Sequence, residues 1–142
     1  MKKYIIYAGV NGAGKSTLYQ TNHVQADLAR INTDEILKEF GDWRNSEGYM
    51  IEMHYVGIDS SETAKKRIAE RVKMGGHGIP DRDVEKRYEE SLINLGKVLP
   101  LCDLAAIYDN TSRFRRFAIF KKGNLIVLSK QIPAWYQKVH IE

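Results

Sequence analysis

The chain has 142 residues, of which 43% are apolar and 28% charged, and this composition is typical of one soluble globular domain covering residues 1–142. No stretch approaches the roughly 18 consecutive apolar residues of a membrane span, and the single cysteine, Cys102, excludes an internal disulfide and agrees with a cytoplasmic location. The net charge of +4 suits an anionic partner, but no nucleic-acid-binding motif accompanies it, so we expect neither nucleic acid nor membrane as a partner.

The first third of the chain alternates strand and helix patterns. Tyr4 to Ala8 is predicted to be a short buried strand bounded by glycine, and Lys15 to Asn22 a helix. Leu28 to Ile31 is a candidate second strand, and Thr33 to Phe40 a short helix with acidic residues in its first turn. The polar segment Gly41 to Gly48 is predicted to be a loop.

Two longer helices follow a strong strand signal. Tyr49 to Ile58 is rich in branched and aromatic residues, which favours a strand. One helix is predicted to begin near Ser60 and to end at Gly75, and another to begin at Pro80-Asp81. Apolar residues at helical spacing predict the buried stripes of these helices: Ala64, Ile68 and Val72 in the first, and Val84, Tyr88, Leu92 and Leu95 in the second.

The C-terminal third is predicted to be mainly strand. Leu104 to Asp109 forms one strand, and Arg115 to Lys121 and Leu125 to Leu128 form a hairpin turning at Gly123. The alternation of strands and helices predicts an α/β fold with a three-layer core, a mostly parallel sheet and an antiparallel hairpin at its C-terminal end. The tail from residue 129 to 142 predicts no function.

A phosphate-binding motif lies between the first strand and the first helix. Residues 9–16, Gly-Val-Asn-Gly-Ala-Gly-Lys-Ser, match G-x-x-x-x-G-K-[ST] at every required position. Glycines let successive N–H groups point at phosphate oxygens, and the following helix directs its positive end to the same anion. The pattern predicts binding of ATP and Mg²⁺, the alternative being a chance match in a glycine-rich turn. The predicted nucleotide-binding residues are Asn11, Gly12, Ala13, Gly14, Lys15, Ser16 and Thr17, with Ser16 as the magnesium ligand.

Two aspartates are candidates for catalysis or metal binding. Asp34 follows the candidate strand Leu28 to Ile31, where a carboxylate could accept the proton of an attacking hydroxyl or hold magnesium through water. Its alternative role is to cap a helix N-terminus. Asp59 ends the strand Tyr49 to Ile58 and is predicted to cap the next helix rather than to bind magnesium.

Arginines flank a glycine-rich joint between the two long helices. Arg67 and Arg71 lie beside the apolar stripe of the first helix, and Arg87 beside that of the second, whereas Arg82 is predicted to point to solvent. The joint at residues 75–80, Gly-Gly-His-Gly-Ile-Pro, suits a lid that closes on phosphates. Such arginines would neutralise transition-state charge. The alternative is that they are ordinary solvated side chains.

These motifs together resemble the zeta-toxin family of P-loop kinases in its small bacterial form. The resemblance covers most of residues 4–110, and it is most specific in the Gly-Gly-His-x-Ile-Pro joint followed by an Arg-Tyr helix. The motifs that carry it are residues 9–17, Ile31-Asn32-Thr33-Asp34-Glu35, Tyr55-Val56-Gly57-Ile58-Asp59-Ser60, Arg67 through Arg71, residues 75–80, Arg87-Tyr88-Glu89-Glu90-Ser91-Leu92 and Tyr108-Asp109-Asn110.

The resemblance implies a doubly wound kinase core that transfers the γ-phosphoryl group of ATP, with magnesium, to a hydroxyl of a UDP-N-acetylsugar. It implies that Lys15 binds the ATP phosphates, that Asp34 is the base on the acceptor hydroxyl, and that Arg71, His77 and Arg87 belong to the lid. Many similar proteins are toxins held by an antitoxin, which implies an antitoxin partner here as well.

The chain departs from this family in one segment. Similar proteins carry a further helix and a central strand before the equivalent of Tyr49 to Ile58, and that strand ends in a Glu-Thr-Thr segment lining the acceptor pocket. Here only Gly41 to Gly48 joins the two elements, and no Glu-Thr-Thr occurs. An exposed sheet edge would then require another strand or a second copy of the chain. Two alternatives therefore stay open: a kinase of another small metabolite, and a catalytically silent nucleotide-binding module.

Overall fold

The structure is a computed structural model that describes residues 3–16, 18, 48 and 50–141. The described residues form an α/β fold with a five-stranded mixed sheet and two long helices. In chain order the elements are β1 (Lys3–Gly9), β2 (Met50–Gly57), α1 (Ser61–Lys73), α2 (Asp81–Val98), β3 (Leu104–Asp109), β4 (Arg115–Lys121) and β5 (Asn124–Leu128), with 3₁₀ turns at Leu99–Leu101 and Ala134–Lys138.

The sheet has the strand order β1-β2-β3-β4-β5. β1 pairs with β2, and β2 with β3, in parallel, whereas β4 and β5 are added antiparallel. Over the described residues the sheet is therefore mixed: its parallel part consists of β1, β2 and β3, and two antiparallel strands follow. Its register places the carboxyl ends of β1, β2 and β3 side by side, since Gly9 lies opposite Val56 and Gly57 opposite Asp109.

The two helices begin and end close to the predicted positions. Ser60 is the N-cap of α1, since its Oγ accepts a hydrogen bond from Thr63 N at 3.2 Å, and the chain leaves the helix through Gly75 at φ 91°. α2 begins directly after Pro80. Its predicted stripe is buried, but in α1 only Ala64 and Ile68 are buried.

Val72 is a correction to the predicted stripe of α1. Its side chain is 44% exposed, and all residues from 69 to 75 are exposed as well. The last turn of α1 therefore extends beyond the core, so that helical spacing alone overestimates the buried length of this helix.

The C-terminal tail, residues 129–141, packs against the sheet through Trp135, which is almost fully buried. Its indole Nε1 donates a hydrogen bond to Asp109 Oδ1 at 2.9 Å, and its ring lies edge-on to Phe117. A Cβ on Gly57 would approach Trp135 Cη2 to 2.3 Å, so that only glycine leaves room for the indole here. The tail is thus part of the domain and lies against the carboxyl ends of β2 and β3.

A polar cluster lies on β2 and the strands beside it. Glu52 forms an ion pair with Lys3, and His54 Nε2 lies 2.7 Å from Glu52 Oε1. The other ring nitrogen, His54 Nδ1, lies 2.9 Å from Tyr108 Oη, and the imidazole stacks on the ring of Tyr7 at a centroid distance of 5.4 Å. Burial alone would raise the pKa of Glu52, but its hydrogen bonds to Lys3 and His54 lower it.

Several predicted elements lie in parts of the chain that the structure does not describe. The candidate strand Leu28 to Ile31, the helix Thr33 to Phe40 and the loop Gly41 to Gly48 lie wholly or almost wholly outside the described residues. Over the described residues, neither long helix has the length and apolarity needed to cross a membrane.

Candidate functional site

The glycine loop, which we define as residues 9–16, follows β1 directly. Gly12 and Gly14 adopt φ angles of 80° and 103°, and Ala13 N donates a hydrogen bond to Val10 O at 3.2 Å to close a turn. At Gly14 a side chain would also be blocked, because a Cβ would lie 2.6 Å from Asn110 Nδ2. Lys15 and Ser16 are helical, so the loop passes from strand to helix as the motif requires.

Two side chains from outside the loop fix its shape through backbone carbonyls. Asn110 Nδ2 donates to Ala13 O at 3.0 Å. Arg67 Nη1 donates to Gly12 O at 3.3 Å, while its Nη2 donates to Asn110 O at 2.6 Å and to Thr111 O at 3.0 Å. These bonds join α1 and the segment after β3 to the loop. Two of the loop carbonyls are thus held from outside, and loop N–H groups other than that of Ala13, which donates to Val10 O, are the candidates for binding an anion.

The segment after β3 is itself anchored by Asp109. Its Oδ1 accepts hydrogen bonds from Thr111 Oγ1 at 2.6 Å and from Trp135 Nε1 at 2.9 Å. Arg115 Nε lies 3.9 Å from the other carboxylate oxygen. A continuous series of contacts therefore runs from the tail through Asp109 to the glycine loop. Sequence reasoning assigned no such positioning role to Arg67, Asn110 or Trp135; the one local signal was a polar Asp-Asn pair directly after an apolar strand.

Lys15 lies beside a small cavity between the glycine loop and α2. Its Nζ donates to Gly9 O at 2.7 Å, which uses one of the three donors of the ammonium group. Burial, and secondarily the positive charge of Arg87, lower the pKa of Lys15. An anion between these two cations would relieve both effects, because it replaces lost hydration and screens their repulsion.

The cavity has a volume of about 140 Å³ and a mainly polar wall. It is smaller than the roughly 300–1,000 Å³ of whole-ligand sites, so it suits one part of a ligand. The buried Tyr55 closes one side, and its hydroxyl lies 2.8 Å from Ser91 Oγ. Burial raises the pKa of Tyr55 far above its usual range, so this hydroxyl stays protonated. The other polar lining residues are Asn11, Lys15, Arg87, Glu90 and Asn94.

The predicted lid arginines take different positions. Both are exposed, but Arg87 lines the cavity with Lys15, whereas Arg71 donates through Nη2 to His77 O at 3.1 Å. That bond closes the glycine-rich joint on the end of α1, where His77 is also exposed. The structure therefore brings Arg87 to the glycine loop and leaves Arg71 and His77 outside the cavity. Arg82 is exposed, as predicted.

Ser16 and two aspartates bear on metal binding. The Ser16 side chain is exposed next to Lys15, and a hydroxyl oxygen suits Mg²⁺, which needs only one or two protein ligands beside phosphate and water. Asp59 is exposed and accepts from Thr63 Oγ1 at 2.6 Å, so it orients the first turn of α1, while the N-cap is Ser60. Asp109 Oδ1 accepts hydrogen bonds from Thr111 and Trp135, and Oδ2 faces Arg115 Nε at 3.9 Å. Within residues 3–16, 18, 48 and 50–141, no three His, Cys, Asp or Glu side chains form a metal-binding group.

Asp34, the candidate base, and Thr17, the last predicted loop residue, lie outside the described residues. Comparisons with protein-family models, curated proteins and solved structures found no match to this chain.

Proposed function

We propose that this chain is a zeta-toxin-like P-loop kinase that uses MgATP to phosphorylate a hydroxyl of a small acceptor, with UDP-N-acetylsugars as the first acceptors to test. The observation that carries the proposal is the pairing of the glycine loop with two cations, Lys15 and Arg87, at one small polar cavity. Loop N–H groups and these cations are what a nucleotide triphosphate requires.

The roles of the residues follow from their chemistry. Lys15 keeps two donors for phosphate oxygens while it remains bonded to Gly9 O. Arg87 also lines the cavity and suits a second contact that strengthens as charge develops during transfer. Ser16 is the proposed magnesium ligand, and the bound ion would neutralise charge on the phosphates. By the resemblance, Asp34 accepts the proton of the acceptor hydroxyl as its oxygen forms the new P–O bond and the bond to ADP breaks.

A second candidate is a nucleotide-binding module without kinase activity. It is favoured by the sequence, in which only Gly41 to Gly48 joins the predicted helix Thr33 to Phe40 to the strand β2. In similar kinases a further strand lies beside the equivalent of β1 and supplies acceptor-binding groups. A domain without that strand would retain the glycine loop, Lys15 and Arg87, and thus nucleotide binding, without a complete acceptor site.

The distinguishing experiment measures ADP release from MgATP by the purified chain, with and without UDP-N-acetylglucosamine, together with nucleotide affinity by calorimetry. The kinase proposal predicts acceptor-dependent ADP release that is abolished by Asp34→Ala, while nucleotide binding persists. Arg87→Ala should reduce turnover, whereas Arg82→Ala, on the same helix and also exposed but outside the cavity, serves as the matched control. Binding without turnover for any tested acceptor supports the silent module. Absence of nucleotide binding refutes both.

A further inference from the structure

The outer edge of the sheet carries an exposed apolar strand. Along β5, Leu125, Ile126, Val127 and Leu128 are 46%, 55%, 50% and 41% exposed. β5 is the last strand of the described sheet and pairs with β4 alone among the described strands, so its other edge presents backbone groups that can pair with a further strand. Exposed apolar edges of this kind are where extended segments add to a sheet.

The charge of residues 110–141, which contain β5, is of one sign, while Asp103 lies beside Lys122, whose N–H donates to Asp103 O at 2.9 Å. Residues 110–141 contain seven lysines and arginines and no aspartate or glutamate, while residues 1–109 contain slightly more acidic than basic residues. Lys121 and Lys122 precede the strand and Lys130 follows it, and all three are exposed. The net charge of the chain therefore arises from the C-terminal third, which sequence reasoning did not separate from the rest.

From these two observations we infer that the β5 edge binds an extended, apolar segment of a partner protein that is flanked by acidic residues. The added strand would pair with the backbone of β5 and pack its apolar side chains on Leu125–Leu128. Its acidic ends would lie near Lys122 at one end and Lys130 at the other. This inference concerns a surface separate from the Lys15 cavity and does not depend on the proposed kinase activity.

The same observations disfavour two other occupants. A second copy pairing antiparallel about Ile126 would place Lys122 of one chain opposite Lys130 of the other, and like charges directly opposite are destabilising. Single-stranded nucleic acid uses aromatic side chains as stacking platforms, whereas the exposed side chains of β5 are aliphatic. An acidic protein segment satisfies the apolar strand and the lysines together.

The test uses the full chain and a labelled synthetic peptide of five alternating valines and threonines with two glutamates at each end. We expect saturable binding by fluorescence anisotropy with a Kd on the order of 100 µM, weakened severalfold between about 50 mM and about 500 mM salt. A peptide with N-methylated central residues should bind at least tenfold more weakly, because it cannot pair with β5. No saturable binding, or equal binding of the N-methylated peptide, would overturn the inference.

Two variants locate the site. Ile126→Lys should weaken binding at least tenfold, whereas Ile93→Lys, on α2 with a closely similar exposure of 56%, should leave it unchanged. The double variant Lys122→Glu and Lys130→Glu should come to prefer a peptide with lysines in place of glutamates, which keeps the test valid if Ile126→Lys fails to fold. Equal loss in Ile93→Lys, or an unchanged charge preference, would contradict the assignment. A dimer that light scattering detects and Ile126→Lys dissociates would show that a second copy of the chain occupies the β5 edge. Competition by oligouridylate would show that nucleic acid occupies it.

Discussion

Arg67 offers the sharpest test of how the glycine loop is held in place. Its guanidinium donates to Gly12 O, Asn110 O and Thr111 O, which no other single side chain can do, because only arginine presents several donors in a fixed fork. We therefore expect Arg67→Ala to destabilise the domain and to weaken nucleotide binding, although Arg67 does not line the cavity beside Lys15.

The magnitude follows from the three bonds. Hydrogen bonds from a charged donor contribute about 1.5–3 kcal/mol each, but the bond to Gly12 O is long at 3.3 Å and the side chain is only partly buried, so water replaces part of the loss. We expect Arg67→Ala to lower the free energy of unfolding by about 2–4 kcal/mol. Arg67→Lys should recover less than half of this loss, because one ammonium group cannot span carbonyls on both segments.

Urea unfolding followed by circular dichroism measures the stability, and calorimetry with MgATP measures the affinity. Lys66→Ala, an exposed neighbour on the same helix, is the control and should change stability by no more than about 0.5 kcal/mol. A loss below about 0.5 kcal/mol for Arg67→Ala would refute the argument that these bonds fix the loop. If Arg67→Ala loses much stability but the folded variant binds MgATP with unchanged affinity, Arg67 stabilises the domain without being needed for nucleotide binding.

Three further predictions concern the rest of the domain. Gly57→Ala should lower the free energy of unfolding by about 1–3 kcal/mol, because its Cβ would displace the indole of Trp135; equal urea midpoints for variant and parent would contradict the described packing. Glu52→Gln should lower the free energy of unfolding by about 1–3 kcal/mol at pH 7. Because the pKa of Glu52 is lowered in the folded state, this loss should shrink as the pH falls below about 4. A loss that does not depend on pH would refute the charged interaction of Glu52 with its neighbours. Arg87→Gln should raise the pKa of Lys15, so the alkaline decline in MgATP affinity should move to higher pH even as the affinity itself falls; an unmoved decline would exclude coupling between the two cations.

Much of the fold can be predicted from local patterns. The predicted strands at Tyr4 to Ala8 and Leu104 to Asp109 agree with β1 and β3, and the second long helix begins at Asp81 as predicted. These elements are predictable because apolar periodicity, glycine and proline act over a few residues. Val72 is the exception, since periodicity shows which side of a helix is apolar but not how far the core extends along it.

The candidate site is less predictable than the elements that carry it. The motif at residues 9–16 is complete in the sequence, and the resemblance led to Arg87, which lines the cavity. Arg71 and His77 belong to the same resemblance, yet in the structure they contact each other at the exposed end of α1. Asp34 lies outside the described residues, so its catalytic role stays a prediction.

The sequence by itself determined the glycine loop, the order of the described strands and helices, and the concentration of positive charge in the last third of the chain. Each of these depends on neighbouring residues or on composition. Only the tertiary structure decided that Arg67 and Asn110 hold the loop carbonyls and that Trp135 anchors the tail to Asp109. Those contacts join residues 26 to 97 positions apart, and their formation depends on sheet register and helix packing, for which a single sequence carries no local signal.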